Sequence, residues 1–395
     1  MTDNRIVNFP SASGAAHFGR RLIPARLRDA RRALRLTQEE LGRRIGVTRQ
    51  AISSFESGAR SPEPDTFAKL ADELAQPRSF FMSNDLPVFG EFGPRFFRKT
   101  GPETIRKNDA CTVLGGWFVQ SARYLDDYVN YPVVDVPSAT ASASDGRYSE
   151  DEIEEIASDC RRRWGLSVGP ISNVLALMEN KGIVTCRYEI EGERIDAFSF
   201  WNGERPFVFM ASEKEAGVRV RFDAAHELGH LILHRWIEPE EIVDPKILKR
   251  IEAEANRFAG AFLLPKKSFP NEFYTARLDA FLDLKRRWGV SIQSMVYRCK
   301  DLELIDDSQF TNLYKQISFR RWRSKEPLDD PNVIRIEQPR MLQKAALMLL
   351  ENGKKHPEEI CSDIALNPRM LAAFWNVSPD VFNSSIPDEF SPSLK

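Results

Sequence analysis

Residues 221–234 read RFDAAHELGHLILH, and His226, Glu227 and His230 within them form an HExxH motif. Residues four apart on a helix share a face, so the two imidazoles can bind one metal ion. The glutamate between them is then the natural general base. Because the chain has only five histidines, the motif favours a metal site over a surface helix that merely carries polar residues.

A third ligand is needed, since a catalytic zinc usually has three protein ligands. The helical pattern EAEANRFAGAFLLP that ends at Pro265 offers Glu252 and Glu254. In thermolysin-like and related HExxH enzymes, the ligand glutamate is followed four residues later by an Asp or Asn that can hold a ligating imidazole. Glu252 has Asn256 at that place, whereas Glu254 has Phe258. We therefore predict that Glu252 is the third ligand. Asn256 is the predicted outer partner, that is, a residue that hydrogen-bonds a ligating imidazole without contacting the metal. Glu254 is the alternative third ligand.

Other polar residues near the motif have less defined roles. We expect His234, four residues after His230, to be a neighbour of the site or a helix-end residue rather than a ligand. A group that stabilises an oxyanion is left unassigned among His234 and the tyrosines Tyr188, Tyr274 and Tyr297.

A second pattern lies near the N-terminus, where residues 37–62 read TQEELGRRIGVTRQAISSFESGARSP. Thr37 and Thr48 are typical N-caps and Gly46 ends the helix between them, which is helix-turn-helix spacing. From Arg20 to Arg60 there are eleven arginines against four acids, a local balance of +7. This basic surface indicates nucleic-acid binding. The alternative is a helical protein-interaction module whose arginines only face solvent.

The second helix of such a pair presents its first residues to base edges in the major groove. Arginine reads guanine and glutamine reads adenine through paired hydrogen bonds. We therefore expect Arg49 and Gln50 to set sequence specificity. The other predicted DNA contacts are Thr48 and Ser53 on the same helix, and Gln38 and Arg60 at phosphates.

Composition limits the class of protein. At 395 residues the chain is long enough for two or three domains, and 42% hydrophobic with 29% charged residues is ordinary for a globular protein. The N-terminus lacks the apolar core of a signal peptide and no run approaches a membrane helix, so we expect a cytoplasmic protein with no membrane partner. Five cysteines scattered singly indicate neither disulfides nor a cysteine zinc site.

The middle of the chain combines strands with helices. The segments IVTCRYEI, DAFSFW and PFVFM between residues 183 and 210 read as strands, with Asn202 and Gly203 at a hairpin turn. The segment GVRVR, residues 217–221, also reads as strand-like. The helices that carry the HExxH motif and Glu252 lie beside these strands, which predicts an α+β domain.

One twelve-residue pattern recurs. LGRRIGVTRQAI at residues 41–52 aligns with LKRRWGVSIQSM at 284–295 and, more faintly, with ICSDIALNPRML at 360–371. We leave open whether the second copy binds a ligand. For the third copy we favour a common turn between helices.

Together these stretches carry a family resemblance that spans nearly the whole chain. RFDAAHELGHLILH followed by EAEANRFAGAFLLP resembles the ImmA/IrrE family of zinc metallopeptidases, and residues 37–62 resemble the XRE or phage-repressor helix-turn-helix. The resemblance implies a multidomain fold: an all-α XRE-type domain, an α+β zincin-like metallopeptidase domain and a mainly α-helical C-terminal region. The expected boundaries are a flexible tail at 1–20, the helix-turn-helix at 21–80, a connector at 81–106, the peptidase domain at 107–270 with a polar insertion at 138–146, a helical region with the second copy at 271–330, and the C-terminal region at 331–395.

The resemblance also implies a function. We expect a DNA-binding transcriptional regulator whose Zn²⁺-dependent endopeptidase, with Zn²⁺ on His226, His230 and Glu252, cleaves a repressor of the XRE type in a stress, phage or mobile-element response. Glu227 would take a proton from the attacking water and pass it to the leaving amine. Its partners are double-stranded DNA and a protein substrate, and related domains commonly bind paired half-sites as homodimers.

An alternative is a non-proteolytic transcription factor or antitoxin whose zincin-like domain senses a ligand or partner. A degenerate site would be expected to lose its base first, because metal binding does not require that glutamate. Since Glu227 is intact, the sequence favours the enzyme.

Overall fold

The computed structural model describes residues 22–82, 102–188, 197–211, 216–237 and 241–382. The chain divides into two compact units, residues 1–86 and 87–395. The first is helical and the second is α+β, so the expected multidomain fold class is confirmed. The finer domain boundaries stay predictions, and most of the expected connector lies outside the described residues.

Over residues 22–82 the first unit contains four helices, α1 (Pro24–Ala33), α2 (Gln38–Ile45), α3 (Arg49–Ser57) and α4 (Pro64–Glu73), followed by a 3₁₀ helix (Arg78–Met82). Their boundaries follow local chemistry. Thr37 and Glu40 form a reciprocal capping box at the start of α2. Gly46 ends α2 in the left-handed conformation with φ 78°, and the Thr48 hydroxyl accepts the Ala51 N–H at 3.2 Å at the start of α3.

Gly42 fixes the close approach of α2 to α3. A Cβ atom there would lie 2.7 Å from the Val47 carbonyl oxygen, a backbone atom that cannot move without moving the turn. We expect Gly42→Ala to destabilise the first unit by about 1–3 kcal/mol, the usual cost of overpacking. All seven tryptophans lie at or beyond Trp117, so tryptophan fluorescence follows the second unit alone. Gly42→Ala should therefore move to lower temperature only the part of the helical circular dichroism change that fluorescence does not follow. If neither the circular dichroism transition nor the fluorescence transition shifted in the variant, this role of Gly42 would be contradicted.

The second unit contains a small sheet and twelve helices within the described residues. They are α5 (Pro102–Asp126), α6 (Glu150–Arg163), α7 (Val174–Asn180), β1 (Val184–Tyr188), β2 (Phe198–Asn202), β3 (Arg205–Ala211), α8 (Gly217–Leu233), α9 (Pro245–Leu263), α10 (Phe269–Glu272), α11 (Ala280–Trp288), α12 (Ile292–Asp301), α13 (Asp307–Phe319), α14 (Met341–Glu351), α15 (Pro357–Ile364) and α16 (Pro368–Trp375), with 3₁₀ helices at Glu241–Val243 and Pro379–Phe382.

The sheet has the order β1-β3-β2, with β1 parallel and β2 antiparallel to β3. One face packs on α5, where the Phe118 ring lies 5.7 Å from that of Phe207. The other face contacts α8: the Ser199 hydroxyl donates to the Glu227 carbonyl and the Trp201 indole N–H donates to the Leu231 carbonyl, both at 3.2 Å. The sheet therefore fixes the helix that carries the HExxH motif.

The expectation that residues 217–221 are strand-like is wrong, because they form the first turns of α8. Val218 and Val220 are both buried, and so is Arg221, whose guanidinium pairs with Glu337. A helix buried on nearly all sides shows no polar face, so alternation of valine and arginine cannot separate it from a strand.

The second copy of the repeat, α11 and α12, is engaged by its own chain. The Glu326 carboxylate accepts the N–H groups of Ile292 (2.7 Å) and Gln293 (3.0 Å) at the start of α12, and it also pairs with buried Lys285 at 2.8 Å. These are the positions that would face a DNA groove in a helix-turn-helix. The structure therefore favours a packing role for this copy.

The third copy, α15 and α16, has the same turn geometry as the other two. Ala365 adopts the left-handed conformation with φ 56° where the first two copies have glycine. The α16 helix packs against the sheet through Phe374, whose ring lies 5.0 Å from that of Tyr188.

None of the five cysteines, all of which lie within the described residues, forms a disulfide bond. Within the described residues, no helix combines the length and the apolar character needed to cross a membrane.

Candidate functional site

The HExxH motif lies where α8 and α9 pack together. His226 and His230 are one turn apart on α8, and each is only 1% exposed. Gly229 allows the helices to approach, because a Cβ atom there would lie 3.1 Å from the Phe258 ring and 3.3 Å from the Ala255 Cα on α9. This contact brings Glu252, one turn before Asn256 on α9, opposite the two imidazoles.

Three donor atoms converge at this point. The His226 and His230 Nε2 atoms are 3.1 Å apart, and Glu252 oxygens lie 3.5 Å and 3.3 Å from them, respectively. Ligands about 2.0–2.1 Å from a tetrahedral zinc are about 3.3 Å from one another. The donor set and its spacing therefore fit a zinc ion. Within the described residues, these three form the one cluster of histidine, cysteine and acidic side chains with such geometry.

Asn256 defines the proton position on His226. Its Oδ1 lies 3.0 Å from the His226 Nδ1 atom, and an amide oxygen can only accept a hydrogen bond. For a hydrogen bond at this contact the His226 proton must be on Nδ1, which leaves the Nε2 lone pair facing His230 and Glu252. The structure places Asn256 where the four-residue spacing from Glu252 predicts an outer partner.

Burial sets the charge of the donors. Burial lowers the pKa of His230 to about 3, so this imidazole is neutral at physiological pH, as a metal ligand must be. Burial opposes ionisation of Glu252, but hydrogen bonds with His226 and His230 outweigh it and hold the pKa of this carboxyl well below its usual value. Two imidazoles and one carboxylate suit a divalent ion of the zinc type.

The remaining residues named for this site have distinct positions. Glu227 is buried, with 4% exposure, in the turn between the two histidines. His234 is fully buried and follows the last residue of α8. Tyr274 is 70% exposed, whereas Tyr297 lines a cavity of about 750 Å³ together with Asn256, Glu254, Arg250 and Arg257. The cavity thus borders Asn256, the predicted outer partner of His226.

The third helix of the N-terminal unit, α3, presents the expected DNA-reading residues. Thr48, Arg49, Gln50 and Ser53 are exposed on the first turns of α3, and Arg60 is exposed beyond its end. Thr48 also caps the helix, so its hydroxyl is partly committed to Ala51.

Gln38 has a structural partner that its sequence position does not reveal. Its side-chain amide donates to a Glu56 carboxylate oxygen at 2.9 Å. The same carboxylate accepts two hydrogen bonds from Arg31, at 2.5 Å and 3.0 Å. This network joins α1, α2 and α3. The predicted phosphate contact of Gln38 would therefore use the second hydrogen of its side-chain amide or its backbone N–H.

The two units define a class of protein: a helix-turn-helix DNA-binding regulator with a metallopeptidase-type domain. Residues 27–81 match the helix-turn-helix family model, and residues 178–300 match the model of the IrrE N-terminal-like domain, peptidase family M78. An "Uncharacterized HTH-type transcriptional regulator" from Methanothermobacter thermautotrophicus is 56% identical over 50 residues, which are 13% of this chain and 72% of that protein. The chain belongs to the helix-turn-helix transcriptional regulators and carries an IrrE-like peptidase domain.

Proposed function

We propose that the protein is a transcriptional regulator that binds DNA through α3 and cleaves a repressor-type protein at a zinc centre. The observation that carries this proposal is the convergence of His226, His230 and Glu252 beside a buried glutamate in an HExxH motif. The IrrE-like domain supports peptide-bond hydrolysis rather than a purely structural metal. The helix-turn-helix unit supports a substrate that acts at the same promoters, such as an XRE-type repressor.

The residues have separate roles in this mechanism. His226, His230 and Glu252 would hold Zn²⁺, which polarises a peptide carbonyl and acidifies water when it is bound. Glu227 takes a proton from the attacking water and delivers it to the leaving amine. Asn256 keeps the His226 proton on Nδ1 through its 3.0 Å contact, so that Nε2 faces the metal position.

We expect Arg49→Ala and Arg60→Ala to weaken DNA binding in different ways. After an operator has been selected from random duplex DNA, Arg49→Ala should cost about 1–3 kcal/mol on that operator and relax preference at one base pair. Arg60→Ala should weaken binding on every sequence. It should also reduce the salt slope, the steepness of the fall in log affinity with log salt concentration, by about 1. Fluorescence anisotropy at several salt concentrations measures both effects.

Arg162→Ala is the matched control, since this arginine lies in the second unit and its side chain is 75% exposed. It should leave operator affinity and the salt slope unchanged. If Arg49→Ala retained full affinity and base preference, α3 would not be the recognition helix.

Labelling of new protein N-termini tests the proteolytic part of the proposal. Cells that contain the wild-type protein should show a cleaved helix-turn-helix repressor that is absent when the gene is deleted. If the protein binds zinc and DNA but no new N-terminus depends on it, the non-proteolytic regulator is the better account.

A further inference from the structure

A chain of buried hydrogen bonds leads away from His230. The Nδ1 atom of His230 lies 3.0 Å from Nδ1 of His234, and Nε2 of His234 lies 2.9 Å from a Glu254 carboxylate oxygen. His234 is fully buried and Glu254 is 6% exposed. His230, His234 and Glu254 thus form a hydrogen-bonded series, the relay.

The relay has one arrangement of protons when His230 holds a metal through Nε2. The His230 proton must then be on Nδ1, and it is donated to Nδ1 of His234. The single proton of neutral His234 is consequently on Nε2 and is donated to Glu254. A carboxylate ends the series because, when ionised, it can only accept.

Glu254 is itself fixed in place. Its second oxygen accepts the Tyr148 backbone N–H at 3.3 Å, and the Arg250 guanidinium lies 3.8 Å away. The Tyr148 hydroxyl donates to the Leu233 carbonyl at 2.9 Å, which ties this segment to the last turn of α8. The acceptor is therefore held against the same helix end that carries His234.

We propose that His234 and Glu254 are positioning residues that fix the tautomer and ring orientation of His230 for the metal. His226 has the direct counterpart in Asn256, so each metal-facing imidazole has its own acceptor at Nδ1. The assignment also explains why Glu254 is not the third ligand: its carboxylate is committed to His234. This inference rests on the proposed zinc site.

Three substitutions in the full-length protein separate this role from simple packing. His234→Leu fills the space but removes both hydrogen bonds. His234→Gln supplies one acceptor and one donor in a planar group, and Glu254→Gln keeps the shape while removing the charge. His356→Leu, at an exposed histidine, is the matched control.

Zinc affinity, measured by competition with a chelator, is the first readout. We expect His234→Leu to weaken zinc binding by about 10- to 100-fold, as loss of an outer partner does in other metal sites. His234→Gln should restore most of the affinity, Glu254→Gln should be intermediate, and His356→Leu should match the wild type. A merely structural role would lower thermal stability without this rescue by glutamine.

Nitrogen NMR of the histidine-labelled, zinc-loaded wild type is the second readout, and it does not depend on whether a variant folds. The expected result is a proton on Nδ1 of His230 and on Nε2 of His234. A proton on Nδ1 of His234, or a folded His234→Leu with unchanged zinc affinity, would overturn the relay while leaving the zinc site intact. If the wild type itself binds no zinc, the proposed metal site fails first.

Discussion

Glu227→Gln should lower the rate of substrate cleavage by about 10²- to 10⁴-fold, the usual contribution of a general acid and base. Glutamine has nearly the same shape, and Glu227 is not one of the three converging donors. Zinc content and operator affinity should therefore remain at wild-type values. The cleavage rate is measured with the repressor that N-terminal labelling identifies, using matched concentrations of zinc-loaded protein.

The control for this substitution is Glu155→Gln, because Glu155 is an exposed glutamate on α6 of the same unit. It should cleave at the wild-type rate. A Glu227→Gln protein that retained zinc and cleaved the repressor within a few-fold of the wild type would show that another group moves the proton.

Glu252→Gln should remove zinc from the protein under conditions in which the wild type binds one ion. In the proposed site, the Glu252 carboxylate is the third ligand and brings negative charge beside the two imidazoles. Loss of an outer partner costs about 10- to 100-fold in metal affinity, and loss of a ligand should cost more. Cleavage should be lost together with the metal.

Zinc stoichiometry and thermal unfolding with and without zinc measure this effect. A ligand that binds only the folded state raises the unfolding temperature, so zinc should stabilise the wild type and not Glu252→Gln. Glu155→Gln again serves as the control. Equal zinc affinity in Glu252→Gln and the wild type would reject Glu252 as the third ligand.

The parts of the fold that depend on local chemistry could be predicted from sequence. Thr37, Gly46 and Thr48 cap helices through groups within a few residues of one another. Residues four apart lie on the same face of a helix. This spacing fixes where His230 lies relative to His226 and where Asn256 lies relative to Glu252. These features need no knowledge of distant contacts.

The features that sequence analysis missed depend on contacts between distant segments. Glu326 caps α12 from 34 residues away along the chain, and Glu254 reaches His234 across the α8–α9 packing. The start of α8 has the sequence pattern of a strand because burial on nearly all sides leaves the helix without a polar face. In the sequence, the one sign that His234 contacts His230 is the four-residue spacing between them. Many buried histidines have such a neighbour, so the spacing does not predict a role at the metal site.

We propose that a DNA-bound regulator acts by cutting a peptide bond. The most direct test is a reporter gene under the identified repressor, in cells that carry either the wild type or Glu227→Gln, with zinc content and operator occupancy measured in both. The account predicts derepression with the wild type and continued repression with Glu227→Gln at equal zinc and equal occupancy. Derepression that persists with Glu227→Gln would contradict it.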